Sequence, residues 1–460
     1  MATHDVLKIA ETAPFNRFHF GLLFWCSFIM MFDGYDLVIY GSVVPQLMEQ
    51  WSLPAVHAGW MGSAALFGGI FGALTFGPLA DRFGRRPVIL LAFALSSLTA
   101  LGNAFAWDAW SFAILRFITG IGLGGTIPNI VALINDMAPI SRRNIMTTVM
   151  LGCYSLGALL SALVAMWVLP RFGWQYTFIL AGAPLLTLPW MYRHLPESLP
   201  FLVACNRNAA TALLCRIRPT VDVEKLRWPN QQAQRVAAPV SGLFTQGRAI
   251  KTLALWVGFG MCMLMVYGLN TWLPKIMVAG GYPLVSGLMF LVTLNLGSIV
   301  GALSSGWLAD RWGCKPTLMV FLALAVASLC VLGIKPGFLL LNLMLLLAGA
   351  ATVGSLAVIH AFAAQQYPTD IRSTGISWCS AIGRFGGVAG PALGGLMLSM
   401  NLTLQLNFIL CSVPGIIALL VVAIVTRHKI EALPKVQLND NLESCPPSPC
   451  STGKSTTQAI

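Results

Sequence analysis

Four ionisable side chains lie inside stretches that are otherwise apolar enough to cross a lipid bilayer. Asp33 and Asp36 fall in MFDGYDLVIYG, Arg116 in LRFITGIGLGG and Arg384 in GRFGGVAGP. An ionisable group at bilayer depth is energetically costly, so it faces a cavity or a partner and marks an ion or substrate pathway. Carboxylates at this depth predict proton binding, and guanidinium groups predict binding of an anion.

The two aspartates are three residues apart and therefore share one face of a helix. Asp33 lies about 21 Å along a span that starts near residue 19, and Arg116 lies about 10 Å along a span that runs the other way. We predict a pair between Arg116 and one of these aspartates, with Asp33 as the first choice. Burial disfavours the carboxylate charge and a guanidinium favours it, so separating the two groups would load or release a proton. A fixed, purely structural ion pair is the alternative.

Arg384 lies about 17 Å along the eleventh span, close to the middle of the bilayer. The glycines around it allow close helix packing. Its guanidinium can hold a carboxylate through two hydrogen bonds and can stack on an aromatic face. We predict contact with an anionic substrate; a salt bridge to Asp36 in the substrate-free state is the alternative.

The elements that must position these side chains are membrane-spanning helices. Of the 460 residues, 57% are hydrophobic and only 10% are charged, and apolar runs of about 20 residues recur almost end to end. The polar N-terminus predicts no cleaved signal peptide. We predict an all-α membrane protein with twelve spans, near 19–46, 58–79, 88–106, 109–135, 145–168, 174–193, 250–274, 284–308, 317–334, 337–366, 373–398 and 404–426.

The basic residues set the orientation. With both termini in the cytoplasm, most Lys and Arg residues fall on the cytoplasmic side. The exceptions are Arg171, Lys275 and Lys335, which fall outside, and Arg116 and Arg384, which lie within spans. This asymmetry is the positive-inside pattern. The net charge of +12 is therefore a topology signal and does not indicate binding of nucleic acid.

A repeat divides the spans into two groups of six. GPLADRFGRRP follows the second span, and GWLADRWGCKP follows the eighth, 229 residues later. Two such halves around a site at mid-membrane are the plan of many secondary transporters. The predicted segments are a cytoplasmic tail (1–18), a first bundle (19–193), a cytoplasmic linker (194–249), a second bundle (250–426) and a disordered cytoplasmic tail (427–460).

At these residues the sequence resembles the major facilitator superfamily, whose most specific signature is G-x-L-A-D-R-x-G-R-R. The second copy departs from it at Cys314. DGYD in the first span together with GRFGGVAGP in the eleventh resembles the aromatic acid:proton symporters. That resemblance implies import of benzoate or a hydroxybenzoate with a proton across a bacterial inner membrane, by one copy of the chain. Side chains at suitable depth to contact such a ring are Tyr35, Asn129, Tyr154, Tyr267, Asn270, Asn295 and Trp378.

The resemblance also implies a set of gating charges in the cytoplasmic loops. In the superfamily, the aspartate at Asp81 latches onto the start of the eleventh helix, where the helix dipole favours an anion. The other predicted gating residues are Arg85, Asp136, Arg142, Asp310, Arg311, Asp370 and Arg372. For the arginines, simple adherence to the positive-inside pattern is the alternative.

Other functions stay open at this stage. Another organic acid or a sugar as substrate, and export of a drug, are the alternatives within transport, although the Gln-rich sugar motif and the Gly-Pro antiporter motif are missing. A membrane enzyme or a sensor is the alternative outside it. The 11 scattered cysteines form no CxxC pair or Cys/His cluster, so we predict no metal and no cofactor.

Overall fold

Helices make up nearly all of this computed structural model, which describes residues 4–218, 226–228, 240–245, 248–368, 371–400 and 402–425. The predicted tail 427–460 lies outside the described residues. The first half contains β1 (His4–Asp5), α1 (Val6–Glu11), α2 (Arg17–Gln50), α3 (Ala55–Phe83), α4 (Arg85–Asn103), α5 (Ala109–Met137), α6 (Ile140–Phe172), α7 (Trp174–Gly182) and α8 (Leu188–His194). The rest contains α9 (Leu199–Cys205), α10 (Arg207–Ile217), β2 (Leu226–Arg227), α11 (Ala249–Ala279), α12 (Leu284–Trp312), α13 (Cys314–Leu332), α14 (Phe338–Gln366), α15 (Arg372–Ser399) and α16 (Leu404–Ile424).

Eleven helices in the described part of the chain are long and apolar enough to cross a membrane, α2 to α6 and α11 to α16. The predicted sixth span is present but is not one continuous helix, because a 3-10 turn (Ala183–Thr187) separates α7 from α8. Pro184 and Pro189 each lack a backbone N–H and crowd the preceding turn, which explains the interruption. The twelve predicted spans are therefore eleven continuous helices and one broken helix.

The two six-helix halves repeat one packing pattern. In the first half α2 packs on α6 and α3 on α5; in the second half α11 packs on α15 and α12 on α14. A side chain at Gly68 would overlap the backbone of Phe117 on α5, and one at Gly297, 229 residues later, would overlap Leu346 on α14. Gly84 and Gly313, at the same spacing, end α3 and α12 with φ of 97° and 87°, a backbone conformation that favours glycine. The sequence repeat is thus a structural repeat.

The halves approach each other most closely near the loops that follow α2 and α11. A side chain at Gly41 would overlap the backbone of Asn270, and one at Gly59 would lie 2.7 Å from the carbonyl oxygen of Pro391. Deeper in, the Ser63 hydroxyl donates a hydrogen bond to the Val388 carbonyl at 2.6 Å. These contacts join α2 to α11 and α3 to α15 on the side of residues 51–54 and 280–283, beside a cavity of about 350 Å³ lined by Glu49 and Lys275 among others.

The N-terminal segment is tied to the linker between the halves. Asn16 caps α2 by accepting hydrogen bonds from the N–H groups of Phe18 and His19, and its amide donates to the Ile217 carbonyl at the end of α10, at 2.8 Å. β1 and β2 add a parallel pairing of two residues each. This small pairing is an exception to the predicted all-α structure; the membrane region itself is entirely helical in the described residues.

Candidate functional site

Arg116 forms a buried ion pair with Asp36, not with Asp33 as predicted first. Its Nη1 lies 2.8 Å from Asp36 Oδ2, and the two side chains are 1% and 5% exposed. The same nitrogen donates to the Asp36 backbone carbonyl at 3.2 Å, and the guanidinium lies over the Tyr40 ring. The two aspartates are about one turn apart along α2, so depth alone did not distinguish them. The rotation of α2 about its own axis determines which aspartate pairs with Arg116, because it turns Asp36 toward α5.

Asp33 is buried but has no ion pair among the described residues. Its side chain is almost inaccessible, and one oxygen, Oδ2, has no hydrogen-bond partner. It interacts electrostatically with Asp36 and with Arg384 of the other half. Tyr154 and Tyr267 also lie within its electrostatic range. Asp33 is therefore the aspartate of the two that also interacts with side chains of the second half.

Arg384 reaches across the interface from α15. Its Nη1 donates a hydrogen bond to the Gly69 carbonyl on α3 at 3.2 Å. On the other side of α15, Gly386 packs against the backbone of Gly260 on α11 so closely that a side chain would not fit. The alternative of a salt bridge to Asp36 is not formed. The guanidinium is only partly buried, so most of its donors are available to an anion.

Tyr154 and Tyr267 join the two halves at the same place. Tyr154 lies on α6 and Tyr267 on α11, and the two side chains interact electrostatically across the interface. Gly387 lies against the Tyr267 ring, one turn from Arg384. Asp33, Arg384 and these two tyrosines, from α2, α15, α6 and α11, thus lie within electrostatic range of one another.

Two predicted substrate contacts lie inside the first half instead. The Tyr35 hydroxyl donates to the Thr177 carbonyl on α7 at 3.1 Å. The Asn129 amide donates to the Gly125 carbonyl at 2.7 Å and to the Phe76 carbonyl at 3.4 Å. Both side chains make hydrogen bonds within the first half in this structure, and their contact with a substrate stays a prediction. Their depth was suitable, but their helices turn them away from the interface.

Three further candidates lie in the second half. The Asn295 amide donates to Asn270 Oδ1 at 3.2 Å, which links α12 to α11. Both asparagines also donate to carbonyls of their own helices. Trp378 stacks on Trp256 near the start of α15 and is 38% exposed, about 9 Å along the helix from Arg384. None of the three has a described contact with the group around Asp33.

The loop after α3 contains an ion pair and a capping carboxylate. Arg85 Nε lies 2.8 Å from Asp136 Oδ2, which also accepts a hydrogen bond from the Ser198 hydroxyl at 2.7 Å. Glu197 Oε1 accepts from the backbone N–H groups of Arg85 at 2.8 Å and Arg86 at 3.2 Å, at the start of α4. A carboxylate at a helix N-terminus is stabilising. Glu197 is not among the residues predicted from the sequence.

The other predicted gating residues make few described contacts. Asp81, Arg142 and Asp310 are exposed, and Arg311 stacks on Trp307 of its own helix. Asp370 lies outside the described residues, as does the side chain of Arg372. The latch between Asp81 and the start of α15 therefore stays a prediction.

Two six-helix halves around charged and aromatic side chains define a carrier of the alternating-access type. The sequence matches the family model described as Major Facilitator Superfamily over residues 26–304 and 291–449. The chain belongs to this superfamily. It is a multi-pass membrane transporter and not an enzyme.

Similar proteins narrow the group within the superfamily. The benzoate transport protein of Acinetobacter baylyi is 35% identical over 93% of this chain and 93% of its own. The gallate transporter of Pseudomonas putida is 33% identical over 94% and 97%, and the 4-hydroxybenzoate transporter PcaK of Acinetobacter baylyi is 32% identical over 89% and 92%. The chain belongs with these aromatic-acid transporters of the major facilitator superfamily.

A solved structure agrees with the fold. The xylose transporter XylE from Escherichia coli, in a partially occluded inward-open conformation, superposes with a TM-score of 0.73 over 91% of this chain and 100% of its own. The sequences are only 16% identical, so this likeness concerns the fold alone.

Proposed function

We propose that this protein imports an aromatic carboxylic acid of the benzoate or hydroxybenzoate type together with a proton, across a bacterial inner membrane, by alternating access. The observation that carries the proposal is that Arg384, which bonds Gly69 across the interface, lies within electrostatic range of Asp33 and Tyr267, and Asp33 within that of Tyr154. The relatives that transport benzoate, gallate and 4-hydroxybenzoate support the substrate class.

Each group in this set suits one part of the substrate. The Arg384 guanidinium offers a planar pair of donors that matches a carboxylate, and it can stack on a ring. The tyrosine hydroxyl groups can form hydrogen bonds with a ring hydroxyl, and their rings provide apolar contact. An aromatic acid therefore satisfies all of these groups at once, whereas a sugar leaves the guanidinium without a counter-charge.

Charge balance supplies the coupling. With all four groups ionised, Asp33, Asp36, Arg116 and Arg384 sum to zero. A bound carboxylate adds one negative charge, and uncompensated charge at bilayer depth is costly. A proton on Asp33 restores neutrality, because Asp36 is already held by Arg116. We infer that one proton travels with each acid.

The contacts between the halves near residues 51–54 and 280–283 indicate how access to the site alternates between the two sides of the membrane. The contacts of Gly41 with Asn270 and of Gly59 with Pro391 must separate before substrate can enter from the side on which they lie. With the termini in the cytoplasm, these contacts lie on the outer side of the site, so the outward-open state requires them to separate. Asp81 and its counterpart Asp310 would form the inner closure in the opposite state. One chain carries both halves of the site, so a single copy suffices.

Uptake by purified protein in liposomes tests the function. Uptake of labelled benzoate, 4-hydroxybenzoate and gallate is measured with the external buffer more acidic than the liposome interior, with and without an uncoupler. Xylose serves as the control substrate. The proposal expects accumulation of at least one aromatic acid that the uncoupler abolishes, and no accumulation of xylose. Accumulation of a sugar alone, uncoupler-insensitive uptake or drug export would contradict it.

A further inference from the structure

A small cavity lies behind Asp33 and Asp36, inside the first half and away from the interface. Both aspartates line it, and Ser96, Ser97 and Ala100 of α4 close it on the other side. Its volume is about 10 Å³, which is close to the smallest space that holds one water molecule and far too small for an aromatic acid. It therefore has no part in binding the proposed substrate.

Both aspartates that line this cavity have an unpartnered carboxylate oxygen. Asp33 Oδ2 and Asp36 Oδ1 are both buried and have no hydrogen-bond partner in the described structure, while the second oxygen of Asp36 holds Arg116. A buried carboxylate oxygen without a donor is costly. Two such oxygens on residues that line one water-sized space indicate a ligand that donates two hydrogen bonds.

The serines of α4 complete a suitable environment. The Ser96 hydroxyl donates to the Phe93 carbonyl at 3.0 Å, which leaves its oxygen free to accept. Ser97 also lines the cavity and is almost fully buried; its hydroxyl can donate to a water oxygen. Buried water typically makes about three hydrogen bonds, and two carboxylates and one hydroxyl provide them.

We propose that this cavity holds one water molecule that bridges Asp33 and Asp36 and passes a proton between them. Protonated Asp33 gives its proton to the water oxygen as the water gives one of its own protons to Asp36 Oδ1. Asp33 is left as a carboxylate, Asp36 becomes neutral, and the water is regenerated. Asp36 then no longer attracts Arg116 as an ion, so the contact between α2 and α5 weakens.

This relay rests on the proposed function and assigns a different role to each aspartate. Asp33 receives the proton beside the substrate, and Asp36 responds by changing its hold on Arg116. The serines of α4 are then positioning residues for the water and do not contact the substrate. Movement of substrate and movement of the helices are thereby linked through a space that the substrate never enters.

Filling the cavity tests the relay. Ala100→Val places methyl groups in it without changing any charge, and Ser97→Ala removes a hydroxyl without adding bulk. Thr99→Val is the matched control, because the Thr99 hydroxyl bonds Thr119 on α5 at 2.8 Å and does not line the cavity. Accumulation driven by a pH gradient is compared with counterflow, in which labelled acid exchanges for unlabelled acid.

The relay expects Ala100→Val to lower gradient-driven accumulation about tenfold or more, the scale on which a positioned proton-transfer group acts. Counterflow should fall less than accumulation, Ser97→Ala should show a smaller loss of the same kind, and Thr99→Val should match the wild type. Unchanged accumulation in Ala100→Val, or equal loss of both activities in a folded variant, would overturn the proposal.

A high-resolution structure of the wild-type protein tests the site without any variant. Density for a water within hydrogen-bond distance of both aspartates supports the relay, and an ordered but empty cavity overturns it. This readout is independent of transport. If the wild type accumulates no aromatic acid, the proposed function fails. The presence of the water is decided separately, by the density in the cavity.

Discussion

Arg116 and Asp36 form an ion pair within the membrane region that is shielded almost completely from its surroundings, with 2.8 Å between nitrogen and oxygen. Removing one partner of such a pair leaves an uncompensated buried charge, whereas removing both leaves none. Arg116→Met should therefore lower the free energy of unfolding by about 3 kcal/mol or more. The double variant Asp36→Leu/Arg116→Met should recover most of this loss. Thermal unfolding of the purified proteins measures it, and a double variant no more stable than Arg116→Met would contradict the pairing.

Asp33→Asn should abolish accumulation against a gradient and leave counterflow measurable, because an amide cannot carry the coupling proton. Asp108→Asn is the matched control. Asp108 caps α5 outside the membrane helices, and its hydrogen bonds with Ser111 hold the pKa of its carboxyl below the usual value. Asparagine caps a helix about as well as aspartate, so this variant should transport normally. Full active uptake by Asp33→Asn would remove Asp33 from the coupling.

Arg384→Lys should raise the KM for the aromatic acid about tenfold or more, since it replaces a planar pair of charged donors with a single point charge. Initial rates of uptake over a range of substrate concentrations give this value. Arg171→Lys, an exposed arginine beside Trp167, is the control and should leave KM unchanged. An unaltered KM in Arg384→Lys would mean that the carboxylate binds elsewhere.

Tyr154→Phe and Tyr267→Phe should separate substrates that carry a ring hydroxyl from benzoate, which has none. Loss of one neutral hydrogen bond is worth about 1 kcal/mol, or about fivefold in affinity. Affinity for 4-hydroxybenzoate should therefore fall about fivefold, and affinity for benzoate should change less. Competition against labelled benzoate measures both, with Tyr282→Phe as control. Equal effects on the two acids would argue that the hydroxyl groups only hold the halves together.

Glu197→Gln should slow turnover and leave the KM unchanged, because Glu197 binds the start of α4 and not the substrate. Loss of a negative charge at a helix N-terminus costs about 0.3–1 kcal/mol, up to about 2 where it is partly buried, so the melting temperature should also fall. Glu49→Gln, an exposed carboxylate at the other end of the molecule, should have neither effect. A change confined to KM would place Glu197 in substrate binding.

Much of the fold was accessible from the sequence because its signals are local. The length of the apolar runs predicted where the helices lie, and the repeated LADRxG segment showed that the two halves correspond. The break in the sixth span was missed because apolar length does not register Pro184 and Pro189, although both were visible. The two-residue pairing of β1 with β2 has no pattern of its own.

The site was predictable in its charges and not in its orientations. Charged residues in apolar spans are conspicuous, so Asp33, Asp36, Arg116 and Arg384 could be found. A helix that is apolar all round gives no periodicity from which to deduce which face points inward. The choice of Asp33 as the partner of Arg116 was therefore wrong, and the orientations of Tyr35 and Asn129 could not be deduced. Glu197 was missed because its role depends on a distant loop.

The duplicated glycine contacts have a mechanical consequence. Backbones that touch at Gly68 and Phe117, and again at Gly297 and Leu346, leave no compressible layer of side chains between the paired helices. Each half should then behave as a stiff lever, so that widening one face of the membrane narrows the other by a comparable amount. This stiffness would act together with the closure at Asp81 and Asp310 to keep both entrances from opening at once.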